Sequence, residues 1–382
     1  MKPTMIFHHP YPVSPEGESG SSVRPFKMIK AFESIGYEVE LVAGYGLERK
    51  KAIKTIKRAV KLGKKYDFIY SESSTMPTLL TEANHYPTFP FLDFGFFRWA
   101  KRNLIPLGLF YRDIYWLFPM YANDVSWYKR AISIPLYKYD WMIYRCLLDH
   151  LFLPSIKMKE ALPTAWINKG ISALPPGCDS GLEDGIRIHS TSNNLKLFYV
   201  GGVTPPGYNL RPLFQTADSL KGVHLTLCCR EQEWKAIREY DCFTDKGNVS
   251  IIHVNGSELH AYYETVDIFT MLREPHEYLD FAMPVKVFES IAHGIPILTL
   301  SGTEAARFIM QEDIGWVVDT VDEARRLLLH LLEYREEIAI KKERVCKVRK
   351  DHTWEARAKT AARTLMKIKD EFCNENSISG GI

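Results

Sequence analysis

Short apolar runs alternate along this chain with stretches of helical periodicity, and they do so in two successive series. In the first half the runs are residues 4–8, 38–43, 67–70, 105–111 and 151–155. In the second half they are residues 195–202, 223–229, 249–253, 267–272, 295–300 and 315–318. Strand-length runs joined by helical patterns specify βαβ units, and βαβ units specify parallel sheets covered on both faces. At 382 residues the chain has the length of two ordinary domains. The expected fold class is therefore α/β, with two doubly wound domains.

The segmentation follows from the same pattern. Residues 1–180 form the first domain, with 151–155 (LFLPS) as its last strand and residues 156–162 as a turn or two of helix. Residues 181–194 are rich in Gly, Ser, Asp and Asn without periodicity and read as the linker. Residues 195–352 form the second domain, in which 322–350 read as one long charged helix. A tryptophan-led helix occupies 353–372, and the Ser/Gly-rich end, 373–382, is expected to be unstructured.

Composition excludes several classes. Hydrophobic residues make up 46% and charged residues 25%, which is globular rather than disordered. A formal charge of +3 does not imply a nucleic-acid partner. The seven cysteines are odd in number and lack CxxC spacing, which fits buried thiols in a reducing cytoplasm and neither a disulfide scaffold nor a zinc site. The opening MKPTMIFHHPYP lacks the apolar core of a signal peptide, and no apolar run is long enough for a transmembrane helix. Charge is nevertheless unevenly spread. Residues 49–65 carry Arg49, Lys50, Lys51, Lys54, Lys57, Arg58, Lys61, Lys64 and Lys65 along one side of a helical pattern. Aromatics interleaved with Lys and Arg crowd residues 86–152. Both segments read either as solvated and core surfaces of a domain or as an anionic-membrane contact.

Chemistry concentrates in residues 284–300, PVKVFESIAHGIPILTL. Val287, Phe288, Ile291 and Ala292 have helical spacing, Gly294 stops the helix, and residues 295–300 read as a strand buried on both faces. Lys286 and Glu289 flank the helix entrance. A helix N-terminus beside a lysine suits a diphosphate, and a carboxylate one turn later can accept two adjacent sugar hydroxyls. An ordinary surface helix with a solvated Lys and Glu satisfies the same pattern. Arg230 and Arg273 stand at strand ends, so a single parallel sheet would gather both with Lys286 and Glu289 at its carboxyl edge. Gly202 follows a strand in the second domain. In the first domain, Gly17 and Gly20 lie in a Gly/Ser loop before a helix that begins at Val23, without the GxGxxG pattern of a dinucleotide site. Asp113 follows Arg112 after the strand at 105–111.

Taken in order, these segments resemble the GT-B glycosyltransferases, specifically the retaining, family 4-like enzymes of bacterial capsule and lipopolysaccharide synthesis. The resemblance runs through the Gly/Ser loop before Val23, LPPGCD at 174–179, YVGG at 199–202, MPVKVFESIAHGIPIL at 283–298 and HTWEARA at 352–358. It implies two Rossmann-like domains facing across a cleft, the first for a glycan or lipid-linked acceptor and the second for a nucleoside-diphosphate sugar, with the last helix returning to the first domain. Glu289 matches the glutamate that holds the ribose hydroxyls, and Lys286 lies in the same run near the diphosphate. Gly20 matches the loop near the donor phosphates, and Arg230 matches a phosphate-binding arginine by position. Asp113 is the candidate to orient or deprotonate the acceptor. No metal or other cofactor is expected, because this fold usually neutralises the diphosphate with protein cations and helix N-termini. Phe281 occupies the position of the family's other glutamate, and Tyr208-Asn209 replaces the lysine expected after YVGG. Two other readings stay open: a non-catalytic nucleotide-sugar or glycan-binding component, and a nucleotide-sugar epimerase.

Overall fold

The computed structural model describes residues 2–14, 20–162, 170–180, 194–205, 207–218, 220–237, 239–244, 247–256 and 258–379. The linker read at 181–194 lies outside these residues apart from Asn194, as do Gly17 and residues 380–382. The chain divides into two compact units, Met1–Pro175 with Trp354–Ile382, and Pro176–Thr353.

Unit 1 runs β1 (Thr4–His8), α1 (Gly20–Ser34), β2 (Glu38–Val42), α2 (Gly46–Lys61), β3 (Ile69–Glu72), α3 (Leu92–Arg102), β4 (Leu107–Phe110), α4 (Pro119–Asp124), α5 (Trp127–Leu147), β5 (His150–Leu153) and β6 (Gly170–Ala173). Its sheet is parallel throughout, in the order β2-β1-β3-β4-β5-β6. The run at 151–155 is thus not the last strand. β6 follows as an edge strand with no buried position, which gives it little apolar signal. The stretch after β5 is a 3₁₀ segment, Ile156–Ala161.

Unit 2 runs β7 (Leu195–Val200), α6 (Arg211–Asp218), β8 (Val223–Cys228), α7 (Glu231–Ala236), α8 (Asp241–Thr244), β9 (Val249–Ile252), α9 (Glu258–Tyr263), β10 (Ile268–Met271), α10 (Val285–Ala292), β11 (Ile297–Leu300), α11 (Glu304–Glu312), β12 (Gly315–Val318), α12 (Val321–Glu333) and α13 (Glu336–Arg349). Its sheet is parallel, ordered β12-β11-β10-β7-β8-β9. Alternate residues of one strand feed opposite faces: Leu195 and Leu197 join one apolar cluster, Phe198 and Val200 the other. The charged pattern at 322–350 is two helices, α12 and α13, broken at Tyr334–Arg335.

The chain ends with α14 (Trp354–Ser379), which belongs to unit 1 and packs on α1 and β4. Gly108 in β4 admits it, since a Cβ there would stand 2.8 Å from the Leu365 side chain. The helix persists through Ser379, so residues 373–379 of the expected unstructured tail are helical.

Two polar clusters lie under the carboxyl edge of the unit 1 sheet. Arg49, expected on the solvated face of α2, is 2% exposed. It pairs through two nitrogens with both oxygens of Asp93, each at 3.0 Å, and Asp93 also accepts from His8 at 3.0 Å. Arg49 lies at helical spacing with the other buried positions of α2, Gly46, Ile53 and Ile56. Glu72, just beyond the apolar run at 67–70, is the last residue of β3 and fully buried. Arg24 donates to it at 3.1 Å, to Tyr70 Oη at 3.3 Å and to the Pro175 carbonyl at 3.3 Å, and its guanidinium lies 3.6 Å from the Phe110 ring centroid. Most aromatics of residues 86–152 build the core, Trp116, Tyr121, Tyr137, Trp141 and Tyr144 among them. The thiols are free, and Cys146, Cys242 and Cys373 are exposed rather than buried.

Removing one partner of a buried pair strands the other charge. Arg49→Met is therefore expected to lower unfolding stability by about 3–5 kcal/mol. Adding Asp93→Leu to that variant is expected to restore part of the loss in the same urea titration.

Candidate functional site

In a doubly wound sheet the strand order reverses between two neighbours, and the loops leaving them part to opposite faces, opening a crevice at the carboxyl edge. In unit 2 that reversal lies between β7 and β10. The segment after β7 contains Gly201, Gly202, Tyr208 and Asn209, and the segment after β10 contains Arg273 and Glu274. The two are tied together. Glu274 donates its backbone N–H to the Asn209 carbonyl at 3.1 Å, and Asn209 Nδ2 donates to Glu274 at 2.8 Å. Asn209 Oδ1 accepts the Arg211 N–H at 3.0 Å at the entrance to α6. The Arg273 guanidinium lies 5.5 Å from the Tyr208 ring centroid. Gly202 is required on steric grounds: a Cβ there would come within 2.9 Å of that ring. Tyr199 Oη donates to the Gly202 carbonyl at 2.7 Å.

α10 follows β10, so its N-terminus opens onto the same edge. The helix buries Val287, Phe288, Ile291 and Ala292 against β10 and β11. Each large side chain contributes about 1.5–3 kcal/mol, enough to anchor so short a helix. Gly294 ends it at φ +68°, a conformation a side chain would strain. Lys286 and Glu289 share the exposed side, about a third exposed each. Lys286 Nζ donates to both Glu289 oxygens, at 3.0 and 2.7 Å. Burial raises the pKa of the Cys228 thiol at the end of β8, and Lys286 opposes part of that rise.

The other sequence-selected residues are placed as follows. Arg230 lies between β8 and α7 with its guanidinium on Glu233 at 2.7 Å, and it is 68% exposed. Phe281 is buried and its ring meets Tyr278 edge-on at 5.7 Å, so an apolar ring occupies the position where the resemblance implies a carboxylate. Gly20 is the first residue of α1, which begins there rather than at Val23. Asp113 follows β4, and its Oδ1 accepts the Tyr115 N–H at 2.8 Å, fixing the turn into the next segment. At the end of β1, burial lowers His9 to a pKa of about 3.

Two residues that sequence reading did not select join the Glu289 cluster. Tyr263, at the end of α9, donates its hydroxyl to Glu289 at 3.0 Å. His293 stacks on the Tyr263 ring at 4.5 Å and lies 3.2 Å from His260 Nδ1. Tyr263 lies 26 positions before Glu289 on another helix, so no local pattern links them. Burial first, then neighbouring His260, lowers His293 to a pKa of about 4.

Residues 209–363 match the family model described as "Glycosyl transferase-like". No curated protein matches the chain. Solved structures similar to it include the sucrose-phosphate synthase of Thermosynechococcus elongatus, with TM-score 0.60 and 12% identity over 96% of this chain and 99% of that one. WaaG, a glycosyltransferase involved in lipopolysaccharide biosynthesis, is similar at TM-score 0.56 and 13% identity, covering 94% and 99%. HepE of Anabaena, solved with UDP-glucose, is similar at TM-score 0.60 and 13% identity, covering 95% and 99%.

The neutral His293 sets a pH dependence. Its folded pKa lies below the ordinary value of about 6.5, so the unfolded chain takes up this proton first as pH falls. Stability attributable to His293 is full above pH 6.5 and is lost progressively down to about pH 4. His293→Phe keeps a ring on Tyr263, and its unfolding free energy is expected to vary less than the wild type's between pH 6.5 and 4, as measured by denaturant melts.

Proposed function

We propose that this chain, a GT-B-type fold whose residues 209–363 match a glycosyl transferase-like family model, transfers a hexosyl group from a nucleoside-diphosphate sugar to a glycan or lipid-linked acceptor. The reaction proceeds with retention, serves bacterial cell-surface polysaccharide synthesis, and takes place on the cytoplasmic side of the membrane. The observation that carries the reading is Lys286 and Glu289 one turn apart at the N-terminus of α10, on the edge where the strand order of the unit 2 sheet reverses.

Glycosyl transfer asks the protein mainly to stabilise charge that develops on the leaving diphosphate. The first turn of a helix has backbone N–H groups without intrahelical acceptors, and Lys286 adds a full positive charge beside them. Arg230 is the second cation. Its present pair with Glu233 is at the surface, and such pairs contribute only about 0–1 kcal/mol, so exchange to a phosphate costs little. Arg273, over the Tyr208 ring after β10, is the third cation. With these groups supplying the charge, transfer proceeds without a metal. Glu289 accepts the ribose hydroxyls, Gly20 lets the chain approach the donor phosphates, and Asp113 orients the acceptor hydroxyl. Phe281 makes the sugar end of the site more apolar than the resembling family's.

An anionic membrane surface is the proposed setting for the acceptor. In unit 1, α2 packs on α3 and α3 on α5. Their exposed sides carry Lys50, Lys51, Lys54, Arg58 and Lys61, then Arg98 and Lys101, then Lys129 and Lys138. Asp93 and Asp140 of these helices are buried and Glu48 is their one exposed carboxylate, so cations prevail outside. Trp127 is 74% exposed and Ile132 58%, an apolar edge for the interfacial layer. Among the described residues no helix is long and apolar enough to cross a membrane.

A thermal-shift screen with UDP-, GDP-, ADP- and TDP-sugars is expected to raise the melting temperature with one base only. With that donor, Lys286→Ala and Glu289→Ala are each expected to lower kcat/KM by about 10-fold or more. Unchanged turnover in both variants would sink the site assignment, and sugar interconversion without an acceptor would favour the epimerase. In vesicle sedimentation, phosphatidylglycerol vesicles are expected to retain the wild type, while Lys50→Glu/Lys54→Glu/Arg58→Glu stays in the supernatant.

A further inference from the structure

Glu289 is held by more than its helix. Its Oε2 accepts the Tyr263 hydroxyl at 3.0 Å and Lys286 at 2.7 Å, and its Oε1 accepts Lys286 at 3.0 Å. Tyr263 is itself immobilised: only 3% exposed, its ring is stacked on His293 and meets Phe198 edge-on at 5.1 Å. Burial, then the adjacent Glu289, holds its phenol well above the usual range, so it stays a donor. The two donors on Glu289 differ in kind. Lys286 is a flexible ammonium about a third exposed, able to swing to a phosphate. Tyr263 is a rigid ring that cannot follow. A carboxylate offers about four acceptor positions. The two Lys286 contacts and the Tyr263 contact occupy three of them.

We propose that Tyr263 is a positioning residue for the donor's ribose: it keeps Glu289 in the rotamer that accepts the ribose hydroxyls when Lys286 leaves that carboxylate for the diphosphate. The ligand-free Lys286–Glu289 pair is then a placeholder for the nucleotide, each side chain already within reach of its half of the ligand. This inference rests on the donor-site reading above and adds to it a residue on a different helix, α9.

The test is calorimetric titration of the full chain with the ribonucleoside diphosphate identified by the screen and with its 2′-deoxy and 3′-deoxy counterparts. The wild type is expected to prefer the ribo form by about 10-fold or more, the size of a hydrogen bond to a charged group. Tyr263→Phe keeps the ring, so its melting temperature is expected to stay close to the wild type's. Its ribo affinity is expected to fall about 10-fold while its deoxy affinities change less than about 2-fold, so that the preference disappears. KM for the donor rises accordingly, with kcat within about 3-fold. Combining Tyr263→Phe with Glu289→Gln is expected to cost no more than Glu289→Gln alone. A Tyr263→Phe protein that keeps the ribo preference, or loses ribo and deoxy affinity equally, overturns the role of Tyr263 and leaves the donor site standing. A wild type without ribo preference, or Lys286→Ala and Glu289→Ala proteins that bind normally, overturns the donor reading and this inference with it. If Tyr263→Phe does not fold, Tyr263→Met, which fills the same space without a donor, takes its place with the same expectations.

Discussion

Parallel strands cannot be joined by a tight turn. Each must be followed by a crossover that returns the chain to the starting edge, and that constraint shapes both units of this protein. It puts every strand's exit on one edge of each sheet and covers both faces with helices. In unit 2 the exits of β7, β8 and β10 and the entrance of α10 share that edge as a consequence. Residues separated by 71 positions, Gly202 and Arg273, are brought to one loop pair in this way, joined through Tyr208 and Asn209. No specific contact needed to be selected for that proximity; the contacts refine it.

The two units differ in the charged groups at the carboxyl edges of their sheets. Unit 1 places Arg49, Asp93, His8, Arg24 and Glu72 beneath its carboxyl edge, with bidentate and shared hydrogen bonds. Such clusters contribute little net stability but make a single arrangement of the loops far cheaper than any other. At the carboxyl edge of unit 2 the charged groups Lys286, Glu289 and Arg230 are part-exposed and paired with near neighbours in sequence. Pairs of that kind are easily exchanged for a ligand. The rigid component there is aromatic: Tyr263, Phe198 and His293 form a packed wall behind Glu289.

Most of the fold was legible because periodicity is a local property. The strands of unit 2 and the helix at 285–292 follow from apolar spacing alone, and Gly294 marks the stop that φ +68° requires. What escaped notice had weak or misleading local signal. β6 is a half-exposed edge strand without an apolar run. Arg49 sits in a cationic series and is nonetheless inside, since one helical position in each turn faces the sheet whatever residue fills it. Glu72 follows the apolar run at 67–70 without adding to it, and it is buried where Arg24 of α1, Arg112 and the Tyr70 hydroxyl meet its carboxylate. Residues 373–379, poor in apolar residues, extend a helix begun well upstream.

The candidate site divides along the same line. Lys286 and Glu289 were visible because they lie three positions apart on one helix, where side chains become neighbours by geometry alone. The sequence by itself therefore determined the α/β class, the two domains and the charged pair at the entrance of α10. Tertiary structure alone decided that Tyr263 donates to Glu289, that Phe281 turns into apolar surroundings, and that Arg273 lies over Tyr208 beside Gly202. The physical reason is range. Spacing along a helix or strand fixes which residues share a face, but which faces meet depends on the order in which the strands assemble, and no short window of sequence encodes that order.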